Sequence, residues 1–247
     1  MVNKGSKYIN LLSKNIKSRK QGLRNLKYFL LRLVCKNSSI ANHELDQLIK
    51  NYFSYTAKGL KILDVGSGLC NYYPENVTES KHKYFACDLS NDLKKFLEKR
   101  GIKFIQGDMV KDKLKLKENS FDIIICSHVI EHLEEPSNIL FEINKLLKIS
   151  GILFLKTPDI KSVKWNFFND FTHKKPYTKN SLKEQIESDS MRVVKCSSST
   201  LYKEFAFNLL KNNLFNPFNI IFLIIGFYTY FFRTDMRELI CIVRKLR

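Results

Sequence analysis

The sequence predicts an α/β fold, a doubly wound domain around a parallel sheet, and three observations carry that expectation. Beyond residue 53, short β-type runs alternate with helical ones, as βαβ units require. The run Ile62-Leu63-Asp64-Val65-Gly66-Ser67-Gly68 reads as a buried strand passing straight into a glycine turn, where backbone can approach a ligand closely. Acids accompany three successive strands, as Asp64, Asp88 and Asp108. With 247 residues, 44% of them hydrophobic, the chain can bury a sizeable core, which excludes disordered, collagen-like and coiled-coil classes.

The elements follow in order. Ile9, Leu12, Ile16, Leu23, Leu26, Leu30 and Leu33 stripe one face of a helix over residues 9–34. Ten Lys or Arg and no acid fall within residues 1–36, so this basic amphipathic helix suits an anionic bilayer surface or a cap over the cleft. The helical extension is assigned to residues 1–53 and the core domain to 54–200. Within the core, strands are expected at 61–65, 83–87, 103–106, 121–126 and 152–157, with helices at 91–100 and 137–149 between them. Gly101 and Gly151 stand where a helix end needs positive φ before the chain turns into a strand. A further helix at 181–190, a sixth strand at 192–196 and a seventh at 238–243 complete the count.

Residues 212–232 carry no charge and are flanked by Lys211 and Arg233, a window long enough to cross a bilayer. If the sixth and seventh strands share one sheet, however, the chain must leave and return on the same side. A monotopic or re-entrant hydrophobic insertion over 201–235 fits that constraint, leaving 236–247 as the last strand and a basic tail. A wholly buried helix and a terminal anchor are the alternatives.

Charge is unevenly spread. There are 12 basic and 2 acidic residues in 1–60, 15 of each in 61–160, and 15 against 7 in 161–247, for a net +18. A neutral middle with basic flanks points to an anionic partner for the ends, such as a membrane surface, a phosphorylated substrate or nucleic acid. Cys35, Cys70, Cys87, Cys126, Cys196 and Cys241 never approach one another at metal-ligand spacing and read as reduced thiols of a cytoplasmic protein. No continuous apolar stretch of a secretory signal is seen near the N-terminus.

Asp64, two residues before the first glycine, would repel a pyrophosphate but suits a cofactor bearing an amino group and a sulfonium charge. Asp88, with Leu89 beside it, ends the next strand where a carboxylate can accept bonds from both ribose hydroxyls, each worth about 1.5–3 kcal/mol when charge-assisted. Asp108 is placed to take an adenine amino group, with Met109 against the ring. The segments LDVGSG, YFACDLS, QGDM, NSFDIIICSHVIEHLEEP and LLKISGILFLKTPD together resemble the class I S-adenosylmethionine-dependent methyltransferases, in particular a bacterial branch associated with polysaccharide synthesis. That resemblance implies a Rossmann-like seven-stranded sheet with an antiparallel last strand. It also implies S-adenosylmethionine as cofactor, with Asp64, Gly66 and Gly68 lining its methionine moiety, Asp88 its ribose, and Asp108 with Met109 its adenine. Ser127, after the fourth strand, joins the cofactor-binding set. Cys70 departs from the family pattern, standing where a third glycine is frequent.

The acceptor is read by elimination. Cys126-Ser127-His128 follows the fourth strand where amino-directed nucleic-acid methyltransferases carry Asn or Asp with Pro-Pro-aromatic, and no Pro-Cys nucleophile occurs. Transfer to oxygen or to a small-molecule nitrogen remains. A hydroxyl acceptor needs a base, for which His is the usual choice. The candidates are His128 at the strand tip and His173, with Asp170 orienting or replacing it, in the loop Phe168-Asn169-Asp170-Phe171-Thr172-His173. His132 lies in a helical run and suits a structural hydrogen bond. Thr178 is placed to cap the helix after that loop. The leading expectation is O-methylation of a glycan or lipid-linked saccharide, without a metal, at a membrane periphery. Alternatives are a lipid or quinone precursor as acceptor, an RNA methyltransferase or RNA-binding module, and a catalytically silent cofactor-binding scaffold.

Overall fold

The computed structural model describes residues 40–53, 57–73, 81–112, 114, 116–199 and 237–247. The expected helix over 9–34 and the apolar window 212–232 lie outside the described residues. Among the described residues, no helix is long and apolar enough to cross a membrane.

Helix α1 (Ile40–Tyr52) leads into strand β1 (Lys61–Val65), followed by β2 (Lys83–Asp88), α2 (Lys94–Lys99), β3 (Lys103–Gln106) and β4 (Phe121–Ser127). A 3-10 turn (Ile130–His132) precedes α3 (Pro136–Leu146), with Pro136 in the helix's first turn, where its missing N–H costs nothing. Strand β5 (Leu147–Pro158), α4 (Ile160–Val163), a second 3-10 turn (Lys164–Asn169), α5 (Lys179–Ile186), β6 (Met191–Ser199) and β7 (Glu238–Lys245) complete the described chain. The seven strands form one sheet in the order β3-β2-β1-β4-β5-β7-β6. The pairs from β3 to β5 are parallel, and β7 runs antiparallel to both β5 and β6. This is the Rossmann-like sheet with an antiparallel last strand that the sequence implied.

Alternation along the central strands divides the core in two. Leu63, Val65, Ile124, Cys126, Leu153 and Leu155 face the side covered by α3 and α5, through Ile139, Ile143, Leu182 and Ile186. Ile62, Ile123, Ile125, Ile152 and Phe154 face the other side, with Leu45, Leu48 and Ile49 of α1 and Leu97 of α2. Strands buried on both faces explain why β1 and β4 are nearly continuous apolar runs.

Three expectations need correction. Helix α3 ends at Leu146, and the residue at positive φ beyond it is Ser150 (+64°), inside the irregular start of β5, not Gly151. Gly151 is required for room instead, since a Cβ there would stand 2.8 Å from the Lys148 carbonyl oxygen. Second, Cys196 and Cys241 are not reduced: they are directly opposed in the β6–β7 ladder, with Cα atoms 4.2 Å apart, and form a disulfide. The sequence hides this, because only the topology brings β7 against β6. Cys70, Cys87 and Cys126 are free and buried, as expected. Third, α5 begins at Lys179, two residues early. Its start is nonetheless the cap foreseen: Thr178 Oγ1 accepts the Ser181 amide at 3.2 Å, and Ser181 Oγ accepts the Thr178 amide at 3.0 Å.

Candidate active site

The glycine turn is built by the carboxyl ends of β1 and β2. The amides of Gly66 and Ser67 both reach the Cys87 carbonyl, at 2.9 and 3.2 Å. Gly66 and Gly68 have φ of +64° and +47°, and Cys70 is also left-handed at +51°. The turn therefore keeps its form at the position of the missing third glycine, with the Cys70 side chain fully buried. A Cβ on Gly66 would meet Val129 Cγ2 at 2.5 Å, whereas one on Gly68 would meet nothing within 4 Å. Gly66 is thus pressed against the segment after β4, and Gly68 faces open space.

The three acids differ in their surroundings. Asp88 accepts the Gly68 amide on Oδ2 at 2.9 Å and the Ser90 amide on Oδ1 at 3.0 Å, so it braces the turn while keeping lone pairs for a ligand. Leu89, next to it, is 66% exposed. Asp108 Oδ1 accepts the amides of Val110 and Lys111, while among the described residues Oδ2 has the Lys111 ammonium at 3.9 Å. Met109 is buried among core residues, so only its edge is available to a ring. Asp64 is buried, and no group among the described residues donates a hydrogen bond to it. Burial, with the Asp88 charge behind it, pushes its carboxyl well above the ordinary value. A buried acid of this kind suits a ligand that brings a cation.

The tip of β4 does not supply a base. Ser127 Oγ pairs with the Tyr72 hydroxyl at 3.1 Å. His128, held at φ +55°, contacts Glu131 Oε1 through Nδ1 at 3.1 Å and Glu238 Oε1 through Nε2 at 2.9 Å. Burial would lower its pKa, but the two carboxylates outweigh that and raise it to about 9. An imidazolium with both nitrogens engaged cannot accept a proton, so the candidate base at His128 is corrected to a structural cation. Around it, Lys156 Nζ lies between Glu44 (3.1 Å) and Glu238 (2.8 Å), and Glu131 Oε2 accepts the Thr157 hydroxyl at 2.9 Å. Sequence reasoning missed this network. Its one visible signal was a lysine inside the apolar run Ile152-Leu153-Phe154-Leu155-Lys156.

The loop after β5 brings His132, Asp170, Thr172 and His173 together. The main-chain carbonyl of Glu131 accepts the amides of Lys174 and Lys175, pinning the loop onto the segment after β4. The rings of His132 and His173 lie 4.8 Å apart between centroids. His132 Nδ1 meets Thr172 Oγ1 at 2.9 Å, which realises the structural bond expected of it. Asp170 does not orient His173 by a hydrogen bond: its Oδ2 is 3.9 Å from His173 Nε2, and His173 Nδ1 instead meets the Phe167 carbonyl at 2.7 Å. Asp170 Oδ1 takes the Thr172 hydroxyl at 2.6 Å and the Thr172 amide at 2.9 Å. Trp165 and Phe171 stand 84% and 78% exposed on the same loop.

The absence of ligand spacing read from the sequence also needs correction. Glu131, His132 and His173 offer atoms within 4.8 Å of one another, close enough to be gathered around a metal ion. Both Glu131 oxygens already accept bonds, from His128 and Thr157, so the three do not form a ready ligand set.

Comparison with known proteins bears on this site. Residues 63–155 match the model of a methyltransferase domain. The ubiquinone biosynthesis O-methyltransferase of Pasteurella multocida is 26% identical over 132 residues, covering 47% of this chain and 54% of that protein. The chain thus spans about half the length of the curated relatives it matches. Among solved structures, the [4+2]-cyclase SpnF superposes with a TM-score of 0.57 at 17% identity, over 82% of this chain and 80% of that one. The Haemonchus contortus phosphoethanolamine N-methyltransferase 2, in complex with phosphomonomethylethanolamine and S-adenosylhomocysteine, gives 0.54 at 12% identity, over 83% and 52%. These likenesses carry the fold. Residues 63–155 are thus similar to a methyltransferase domain, within a fold shared with solved methyltransferase structures.

Proposed function

We propose that this chain is an O-methyltransferase that moves a methyl group from S-adenosylmethionine to a hydroxyl of a glycan or lipid-linked saccharide. The observation that carries an oxygen acceptor is the pair His132 and His173, each with one ring nitrogen hydrogen-bonded and the other without a hydrogen bond among the described residues. The residues present fit the cofactor. Asp64 is a buried acid to which no group among the described residues donates, matched to the ammonium group. Asp88 has lone pairs left for the ribose, and Asp108 Oδ2 is open to the adenine amino group. When bound, S-adenosylmethionine supplies an electrophilic methyl carbon whose bond to sulfur breaks with both electrons going to sulfur. The protein's share is to hold the acceptor oxygen in line, exclude water and take the hydroxyl proton, and positioning alone can supply about 7–11 kcal/mol of the barrier.

The exposed aromatics Trp165, Phe168 and Phe171, on the loop that carries His173, suit the apolar face of a sugar ring. A second reading, a phenolic quinone precursor or another lipid, rests on the relatives named for ubiquinone biosynthesis. Either acceptor agrees with peripheral membrane docking through the basic flanks and the window 212–232. The composition carries no recognisable RNA motif, and nucleic acid is not proposed as a partner.

The test is incubation with methyl-labelled cofactor and separated fractions of lipid-linked oligosaccharide and polyprenylated phenol. Label in the saccharide supports the first reading, and label in the phenol replaces it with the second. No alkali-stable ether label in any hydroxyl-bearing fraction, with label on nitrogen instead, overturns O-methylation.

A further inference from the structure

We infer that Thr172 relays the Asp170 carboxylate to His132, so that His132 Nε2 is the proton acceptor for the methylated hydroxyl. The inference rests on O-methylation and deepens it by choosing between two imidazoles that the sequence did not pair.

Hydrogen-bond direction distinguishes the two rings. Thr172 has a single hydroxyl proton, and Asp170 Oδ1, 2.6 Å away, belongs to an acid that can only accept when ionised. That proton therefore points at Asp170. The Thr172 oxygen is left with lone pairs, so its contact with His132 Nδ1 at 2.9 Å must be donated by the ring. A neutral His132 then carries its proton on Nδ1 and its basic lone pair on Nε2. The same logic gives His173 an Nδ1 proton, because the Phe167 carbonyl at 2.7 Å can only accept.

The two rings are not equivalent once a proton arrives. Charge on His132 is answered through Thr172 by an ionised carboxylate, whereas His173 leans on a neutral carbonyl and sits 3.9 Å from Asp170 Oδ2, outside hydrogen-bond range. The ring centroids lie 4.8 Å apart, and it is His132 that the hydrogen-bond chain through Thr172 joins to a carboxylate. Position agrees. The His132 amide bonds the Val129 carbonyl at 3.0 Å, and Val129 is the residue pressed against Gly66, which links His132 to the cofactor turn within one 3-10 turn.

The proton transfer balances. The acceptor O–H bond breaks, its electron pair stays on oxygen to form the new bond to carbon, and the proton becomes N–H on Nε2 before leaving to solvent. Thr172 keeps its own proton throughout and is a positioning residue. The charged and titratable groups brought to His132 are Glu131 on its own turn and Asp170 and His173 on the opposing loop.

The test combines histidine ring ¹⁵N NMR of the full chain with kinetics of Thr172→Val, Thr172→Ser and His132→Gln. Wild type is expected to show Nδ1–H on His132. Thr172→Val is expected to mix the tautomers, reduce kcat about tenfold or more at little-changed KM, and shift the pH–rate profile. Thr172→Ser restores all three. His132→Gln is expected to lose about 10²–10⁴-fold in kcat. Unchanged S-adenosylhomocysteine affinity in the Thr172 variants shows that they are folded. An Nε2–H tautomer in wild type overturns the relay whatever the acceptor proves to be. A Thr172→Val or His132→Gln enzyme with wild-type kcat and pH profile, beside an inactive His173→Gln, overturns it in favour of His173. Because the tautomer is read without turnover, failure of the relay is separable from failure of O-methylation.

Discussion

A Cβ on Gly66 would collide with Val129 Cγ2, while one on Gly68 would meet nothing, although both residues hold positive φ. Gly68→Ala should therefore cost only the left-handed penalty of about 1–2 kcal/mol, and Gly66→Ala should add about 1–3 kcal/mol of overpacking. Thermal melts should order the variants in that way, and Val129→Ala should recover part of the loss in the Gly66→Ala background but none in the Gly68→Ala one. Equal melting temperatures for the two alanines would mean that the turn and the segment after β4 are not in contact. Asp64 offers a different test. Its carboxyl is held well above the ordinary value by burial and then by Asp88, so it is protonated before ligand arrives over a pH range where a neighbouring ammonium would ionise it. Cofactor binding should release a proton, and affinity should rise with pH across that range. Calorimetry in buffers of different ionisation enthalpy measures the proton directly. Asp64→Asn should show none.

Four segments meet in this cluster of charges: Glu44 from α1, the buried Lys156 from β5, Glu238 from β7 and the partly exposed His128 just after β4. This network binds the first helix and the antiparallel strand to the segment that carries Glu131 and His132. The sign of its pH dependence follows from two shifts. His128 is raised to about 9, so its contribution is complete below its unfolded value of about 6.5 and fades as pH climbs through about 9. Glu238 is lowered to about 2: burial opposes ionisation, but the His128 bond and the Lys156 charge prevail. Its contribution is complete above the ordinary carboxylate range and is lost as pH falls through about 2. Denaturant unfolding should thus show stability declining from about pH 6.5 to 9, and His128→Gln should remove that slope. A wild-type protein with flat stability across this window would contradict the clamp. The sequence could not show it, because the partners are 110 residues apart and nothing in His128 itself distinguishes a clamped cation from a free base.

At the scale of the whole molecule, what was legible was local. The strand positions could be read because β1, β4 and β5 are buried on both faces and end at turns or helices with strong signals. The acids could be read because each lies at or near the carboxyl edge of a parallel strand, Asp64 within β1, Asp88 at the end of β2 and Asp108 two residues after β3. The Asp170–Thr172–His132 chain, the Cys196–Cys241 bond and the Lys156 network stayed hidden, since each joins elements that only the 3-2-1-4-5-7-6 order brings together. That edge is where the account stands or falls. Asp88 braces the Gly68 amide and is the carboxylate proposed to meet the ribose, so the turn and the ligand would be jointly held through it. The decisive measurement is calorimetric titration of S-adenosylhomocysteine into the wild-type chain and into Asp88→Ala, with circular dichroism to confirm that the variant is folded. The account predicts one saturable site in wild type and a loss of about tenfold or more in the variant, given about 1.5–3 kcal/mol per charge-assisted bond. No binding by wild type, or an affinity untouched by Asp88→Ala, would contradict it.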